Sequence, residues 1–112
     1  MSVPLYQAKA ELFRTLGHPV RIRVLELLLD GPKQVRDLLA DIGVEPSSLS
    51  QQLAVLRRTG LVSSWRDGAQ VMYGLSTPDV AALLAAARRL LTEVLTDRDD
   101  LLAELRASGP GA

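Results

Sequence analysis

The residues best suited to chemistry lie in one stretch, "EPSSLSQQLAVLRRTG", at positions 45–60. Its first half carries short hydroxyl and amide side chains: Ser47, Ser48, Ser50, Gln51 and Gln52. Its second half ends in Arg57, Arg58 and Gly60. On a helical wheel with Leu49 at zero, Leu53 and Leu56 fall beside it as a core face. Ser47, Gln51 and Arg58 lie nearly opposite, with Ser48, Ala54 and Val55 nearby and Ser50 on the flank. A solvated helix face normally carries Glu and Lys, but here no charge stands between Glu45 and Arg57. Hydroxyls bond phosphate or base edges, and a Gln can bond adenine at two points. A helix start attracts phosphate, and arginines two turns later stand where a duplex backbone would pass. This face suits a major groove. Alone, serine caps and an arginine pair describe a solvated helix equally well, so the flanking elements decide.

Those elements read as follows. Leu5, Ala8, Leu12, Phe13 and Leu16 have helical spacing, and Gly17 ends that helix. His18 is expected to cap the next helix and Pro19 to take its first position. That helix should run to Asp30, with Ile22, Leu25, Leu28 and Leu29 inward, before the break at Gly31–Pro32. A short helix over 34–42 turns Val35, Leu38 and Leu39 inward and stops at Gly43. Pro46 opens the quoted helix, which ends near Thr59, and Gly60 closes it. The period then changes. "LVSSWRDGAQVMYGLS" reads as two strands around Asp67–Gly68. Thr77 and Pro78 start a last helix, with Val80, Leu83, Leu84, Ala87, Leu91, Val94 and Leu95 on one face. "DRDD" at 97–100 would fray or break it before Leu101, Leu102 and Leu105 resume the stripe, and 108–112 read as a disordered tail. Helix, helix, short helix, helix, hairpin, long helix is the order of a winged helix-turn-helix, mainly α with a β-hairpin wing, in one domain over 1–107. Arg66 and Gln70 then fall on the wing.

"LFRTLGHPVRIRVLELL", "VRDLLADIGVEPSSLSQQLAVLRRTGLV" and "RDGAQVMYGLS" together resemble the ArsR-type family of bacterial winged-helix repressors, over roughly residues 8–95. The resemblance implies a homodimer pairing through its first and last helices on a partly palindromic operator. It carries DNA contact over to Ser47, Ser50 and Gln51, with Ser48 beside them, and to the wing residue Arg66. Arg57, Arg58 and Gln70 join that set from the residue reading. Pro46 stands where many relatives have a polar residue able to contact DNA, so that contact is missing. The dimer seam would use Leu5, Tyr6, Leu12 and Phe13 of the first helix, and Leu83, Leu84, Ala87, Leu91 and Val94 of the last. The alanines at 81, 82, 85, 86 and 87 permit close helix approach.

Relatives bind metal through cysteines that would fall at Gln34 and Arg36, or through a last-helix site whose positions here are Asp79, Ala81, Thr92 and Leu95. The chain has no Cys and one His. Transition-metal affinity needs thiolate or imidazole, so no metal, no cofactor and no dithiol switch are expected. No catalytic constellation is visible either. Arg21 and Arg23 read equally as phosphate contacts or as a solvated face. Trp65 reads as packing on its cross-strand neighbour Met72.

Composition bounds the rest. In 112 residues, 47% apolar and 23% charged, the net charge is zero, yet it is unevenly spread. Arg57, Arg58 and Arg66 face only Glu45 and Asp67 between Gly43 and Gly68, while beyond Thr77 six acids stand against four bases. No run is long enough to span a bilayer, and no leader is seen, so a cytoplasmic protein without membrane contact is expected. The functional expectation is a homodimeric repressor binding a double-stranded DNA operator, its effector unspecified. The alternatives are a winged helix that binds a protein, or a regulator sensing a small organic ligand in the dimer cleft.

Overall fold

Local punctuation sets most helix boundaries. In the computed structural model, which describes residues 3–108, α1 spans Leu5–Leu16 and α2 spans Pro19–Leu27. His18 caps α2 as expected: its Nδ1 accepts the Val20 N–H at 3.2 Å. Helix α2 is shorter than its sequence suggests. A 3₁₀ turn, Leu28–Asp30, tightens its end before Gly31, so Val24, Leu25 and Leu28 are buried and Leu29 is turned outward.

Next come β1 (Lys33–Gln34), α3 (Val35–Ile42), α4 (Pro46–Arg58), β2 (Val62–Asp67), β3 (Gln70–Leu75) and α5 (Pro78–Ser108). Strand β1 is absent from the sequence reading, which placed Gln34 in α3; here Gln34 is instead that helix's N-cap. Two residues have no periodicity to detect, and they become a strand only because β3 offers a free edge. The sheet order is β1-β3-β2, antiparallel throughout. The hairpin turn is Gly68–Ala69, one residue later than expected, because Asp67 pairs with Gln70. Gly68 has φ +64° and, among the described residues, no non-glycine residue has positive φ, the pattern of a two-residue turn with Gly first. Gly43 closes α3 in the left-handed region, at φ +75°, and its N–H bonds the Leu39 carbonyl.

The core joins α2, α3 and α4. Val24, Leu25, Leu38, Leu49, Leu53 and Leu56 are its fully buried side chains. Each buried leucine contributes roughly 1.5–3 kcal/mol. Ser76 ties the hairpin's root to the end of α4: its hydroxyl donates to the Gly60 carbonyl at 2.6 Å, and its N–H bonds Leu61 O. Trp65 pairs in register with Met72, as expected, but its ring lies diagonally over Gly74. A Cβ there would stand 2.9 Å from the indole.

Thr77 caps α5, accepting the Asp79 N–H at 3.2 Å. The helix does not break at "DRDD". No Gly or Pro occurs between Asp79 and Ser108, and Leu, Ala, Glu and Arg propagate helix well. The described chain falls into two compact units, residues 3–81 and 82–108, the second being most of α5. Of the expected tail, Ser108 ends α5 and 109–112 lie outside the described residues.

Candidate nucleic-acid interface

Helix α4 divides as its wheel requires. Leu49, Leu53 and Leu56 are buried, while Ser47, Ser50, Gln51, Arg57 and Arg58 are exposed and Ser48 is half-buried. No side chain caps its start. Pro46 has no N–H to satisfy, and without a side-chain cap the first-turn amides of Ser47 and Ser48 have no side-chain acceptor. Helix dipole and amides therefore favour an anion at this end.

Arg21 was open between phosphate contact and simple solvation, and neither describes its place. Its Nε donates to Gln52 Oε1 at 2.7 Å and its Nη1 to the Thr15 carbonyl at 3.1 Å. One guanidinium thus ties the end of α1 and the first turn of α2 to the middle of α4. Arg23 is likewise engaged, with Asp41 at 3.1 Å and Glu26 at 3.6 Å. Both pairs are about half exposed, so they orient more than they stabilise. The sequence reading missed the role of Gln52. An amide on the helix flank, half-buried, was its only local signal.

On the wing, Arg66 and Gln70 are both exposed but lie on opposite faces of the hairpin. Arg66 pairs with Val71 and Asp67 with Gln70, and successive strand side chains alternate. Arg66 shares its face with Val62, which is buried in the core at the strand's inner end. Gln70 instead borders a shallow hollow with Gln34, Val35 and Arg36. Arg36 is exposed, and its Nη2 reaches Gln34 Oε1 at 3.3 Å. The first turn of α3, which follows β1 directly, thus places Arg36 beside the wing, a cation that the sequence reading weighs only against metal ligation.

Other exposed faces are apolar. On α1, Leu5, Tyr6 and Phe13 are 60–71% exposed, and Leu12 is half-buried. On α5, Leu91 and Val94 are exposed, as is Ala87, while Leu83 and Leu84 are half-buried. Leu90, Leu95, Leu101, Leu102 and Leu105 extend the exposed set. Among the described residues, no group of three or more His, Cys, Asp or Glu is placed to hold a metal ion, and no helix is long and apolar enough to cross a membrane.

A recognition-type helix set at a glycine turn after α3, followed by a sheet-borne hairpin, defines a winged helix-turn-helix protein. Residues 18–64 match the family described as bacterial regulatory protein, arsR family. The chain belongs to that family. It is 54% identical over 109 residues to the HTH-type transcriptional regulator Rv0081 of Mycobacterium tuberculosis, covering 96% of each chain. The crystal structure of Rv0081 superposes with a TM-score of 0.81 at 55% identity, covering 87% of this chain and 98% of that one. A biofilm growth-associated repressor of Xylella fastidiosa is 40% identical over 77 residues, 69% of this chain and 68% of its own. The homodimeric winged helix-turn-helix DNA-binding domain Mb0332 of Mycobacterium bovis aligns at TM-score 0.74 and 28% identity, over 81% and 84% of the two chains.

Proposed function

We propose that the protein is a homodimeric transcriptional repressor that holds a pseudo-palindromic DNA operator in the cytoplasm and acts by binding, not catalysis. The observation that carries this reading is the division of α4. Its leucines are spent in the core, and its outward face offers Ser47, Ser50, Gln51 and two arginines with no acid among them. In this reading residues 3–81 present α4 and the wing, and the apolar faces of α1 and of α5 are each covered by the second copy. Two α4 helices enter successive major grooves. Gln51 reads a base edge, with Ser47, Ser48 and Ser50 beside it. Arg57 and Arg58 neutralise the backbone, and Arg66, Gln70 and Arg36 flank it at the wing. Mb0332 is described as homodimeric and DNA-binding, and the Xylella relative as a repressor, which supports the assignment.

The test starts from duplexes selected out of random DNA, followed by fluorescence anisotropy. Gln51→Ala should cost about 1–3 kcal/mol per half-site on the selected duplex and flatten preference at one symmetric base pair. Binding to scrambled DNA should hardly change, because phosphate contacts carry no sequence. If Gln51→Ala binds both duplexes like the parent, α4 does not read DNA, and a protein partner for this face becomes the better account.

A further inference from the structure

Helix α4 is held in its unit by two kinds of contact. Leu49, Leu53 and Leu56 bury its dry side in the core. Apolar burial is non-directional, so it fixes which side is dry more firmly than the exact rotation of the helix. A hydrogen bond is directional and weakens steeply as its angle falls. Among the described residues, one side-chain hydrogen bond joins α4 to another element: Arg21 Nε donates to Gln52 Oε1 at 2.7 Å. No side-chain cap at the start of the helix shares that task.

The bridge is built to resist turning. The Arg21 guanidinium is planar, and a second donor, Nη1, is fixed on the Thr15 carbonyl in the last turn of α1 at 3.1 Å. Gln52 therefore meets a donor whose direction α1 and α2 have already set. Gln52 is half-buried and its chain neighbour Gln51 is exposed. At 3.6 residues per turn, consecutive side chains stand about 100° apart around the axis. Pinning Gln52 inward thus fixes the direction in which Gln51 leaves the helix.

We propose that Arg21 is a positioning residue for sequence reading: acting through Gln52, it sets the rotation of α4 and with it the aim of Gln51 at a base edge. This rests on the reading of α4 given above and deepens it. A helix with its side chains is about 5–6 Å in radius, so a turn of about 20° carries the Gln51 amide by about 2 Å. Hydrogen-bond lengths tolerate a spread of only about 0.5 Å. The charges of Arg57 and Arg58 act over a Debye length of about 8 Å, so the same turn leaves them beside the backbone. Losing the bridge costs discrimination among sequences and leaves the attraction to any duplex nearly intact.

The test compares Arg21→Ala, Gln52→Ala and the double variant with the parent by fluorescence anisotropy, on selected and scrambled duplexes across a salt series. Circular dichroism sets a temperature at which every protein compared is folded. Arg21→Met, which keeps the aliphatic stem, replaces Arg21→Ala if that variant does not fold. Either single change should lower the ratio of selected to scrambled affinity by about tenfold per half-site, near the low end of what a paired base contact discriminates. The loss should fall at the symmetric base pair that Gln51→Ala flattens. The double variant should lose no more than either single one, because the same bond is removed each time. Salt slopes should match the parent. An unchanged ratio in folded Arg21→Ala makes the bridge a stabilising brace only and overturns the proposal. A reduced salt slope for Arg21→Ala makes Arg21 a phosphate contact, and a flattened preference for Gln52→Ala alone makes Gln52 a base reader; either overturns it. Additive losses in the double variant show two separate roles and overturn it as well. If selection from random DNA returns no duplex that the parent prefers, the reading of α4 itself fails, and this inference with it.

Discussion

The outward face of α4 and the free faces of α1 and α5 are equally open to water and are made of opposite materials. On α4, Ser47, Ser50, Gln51 and Arg58 keep their hydration and can exchange it for phosphate and base edges. On α1 and α5, Phe13, Leu91 and Val94 hold apolar surface in water, which is unfavourable until something dry covers it. The difference shows that exposure alone does not identify a binding surface. A polar face selects a hydrated, charged partner whose affinity depends on salt. An apolar face selects a partner with the same shortage of cover, and a second copy supplies that symmetrically. The two faces should therefore fail differently when altered.

The largest effect is expected on the apolar side. Leu91→Ala removes two leucines from the seam of each dimer, and each leucine is worth about 1.5–3 kcal/mol when fully buried. The dimer dissociation constant should rise on the order of a hundredfold or more. Sedimentation across the micromolar range checks this, with far-ultraviolet circular dichroism confirming that α5 persists. Unchanged dimerisation would remove α5 from the seam and dissolve the contrast.

Arg21→Ala tests the boundary between the two regions. The substitution leaves Gln52 and the Thr15 carbonyl without their charged donor. A hydrogen bond to a charged group contributes about 1.5–3 kcal/mol, so urea denaturation should show a loss of that order. The salt dependence of DNA binding should stay as in the parent, because this guanidinium points into the protein.

Arg58→Ala should show the reverse signature. The fold should keep its stability, since the side chain is exposed at the end of α4. Specific and scrambled DNA should weaken together, with the salt slope falling by about 1 per lost phosphate contact and about twice that for a dimer. A smaller change of slope for Arg66→Ala or Arg36→Ala would compare the cation on the wing with the one beside it. The smallest effect is expected from metal. Zinc or nickel, added at constant ionic strength, should leave operator affinity unchanged, because neither thiolate nor a pair of imidazoles is present in one chain. A stoichiometric loss of binding would overturn that reading.

Much of the fold was legible because its signals are local. Gly17, the His18–Pro19 pair, Gly43 and Thr77–Pro78 mark helix ends through backbone conformation and capping, which need no distant partner. The inward leucines of α4 follow from the 3.6-residue period. The misreadings have a common cause. Strand β1 exists only through pairing with β3. The hairpin turn moved one residue because register, not the Asp–Gly dipeptide alone, chose which residues face each other. Leu29 left the core because the end of α2 tightened against Gly31, which reassigned its side of the helix.

By itself the sequence determined that α4 has a dry leucine side and a wet side of hydroxyls, amides and arginines, since helical period and residue type are both written along the chain. It also determined that the chain offers no thiolate and a single imidazole as metal ligands, because that inventory needs no coordinates. What it left open was where each arginine sends its charge. Arg21 and Gln52 are 31 residues apart and Arg23 and Asp41 are 18 apart, and no local rule links such positions. Only the packing of α2 against α3 and α4 brings them within hydrogen-bond distance. That packing turned two candidate DNA contacts into braces, Arg21 against α4 and Arg23 against α3, and left Arg57 and Arg58 facing the solvent.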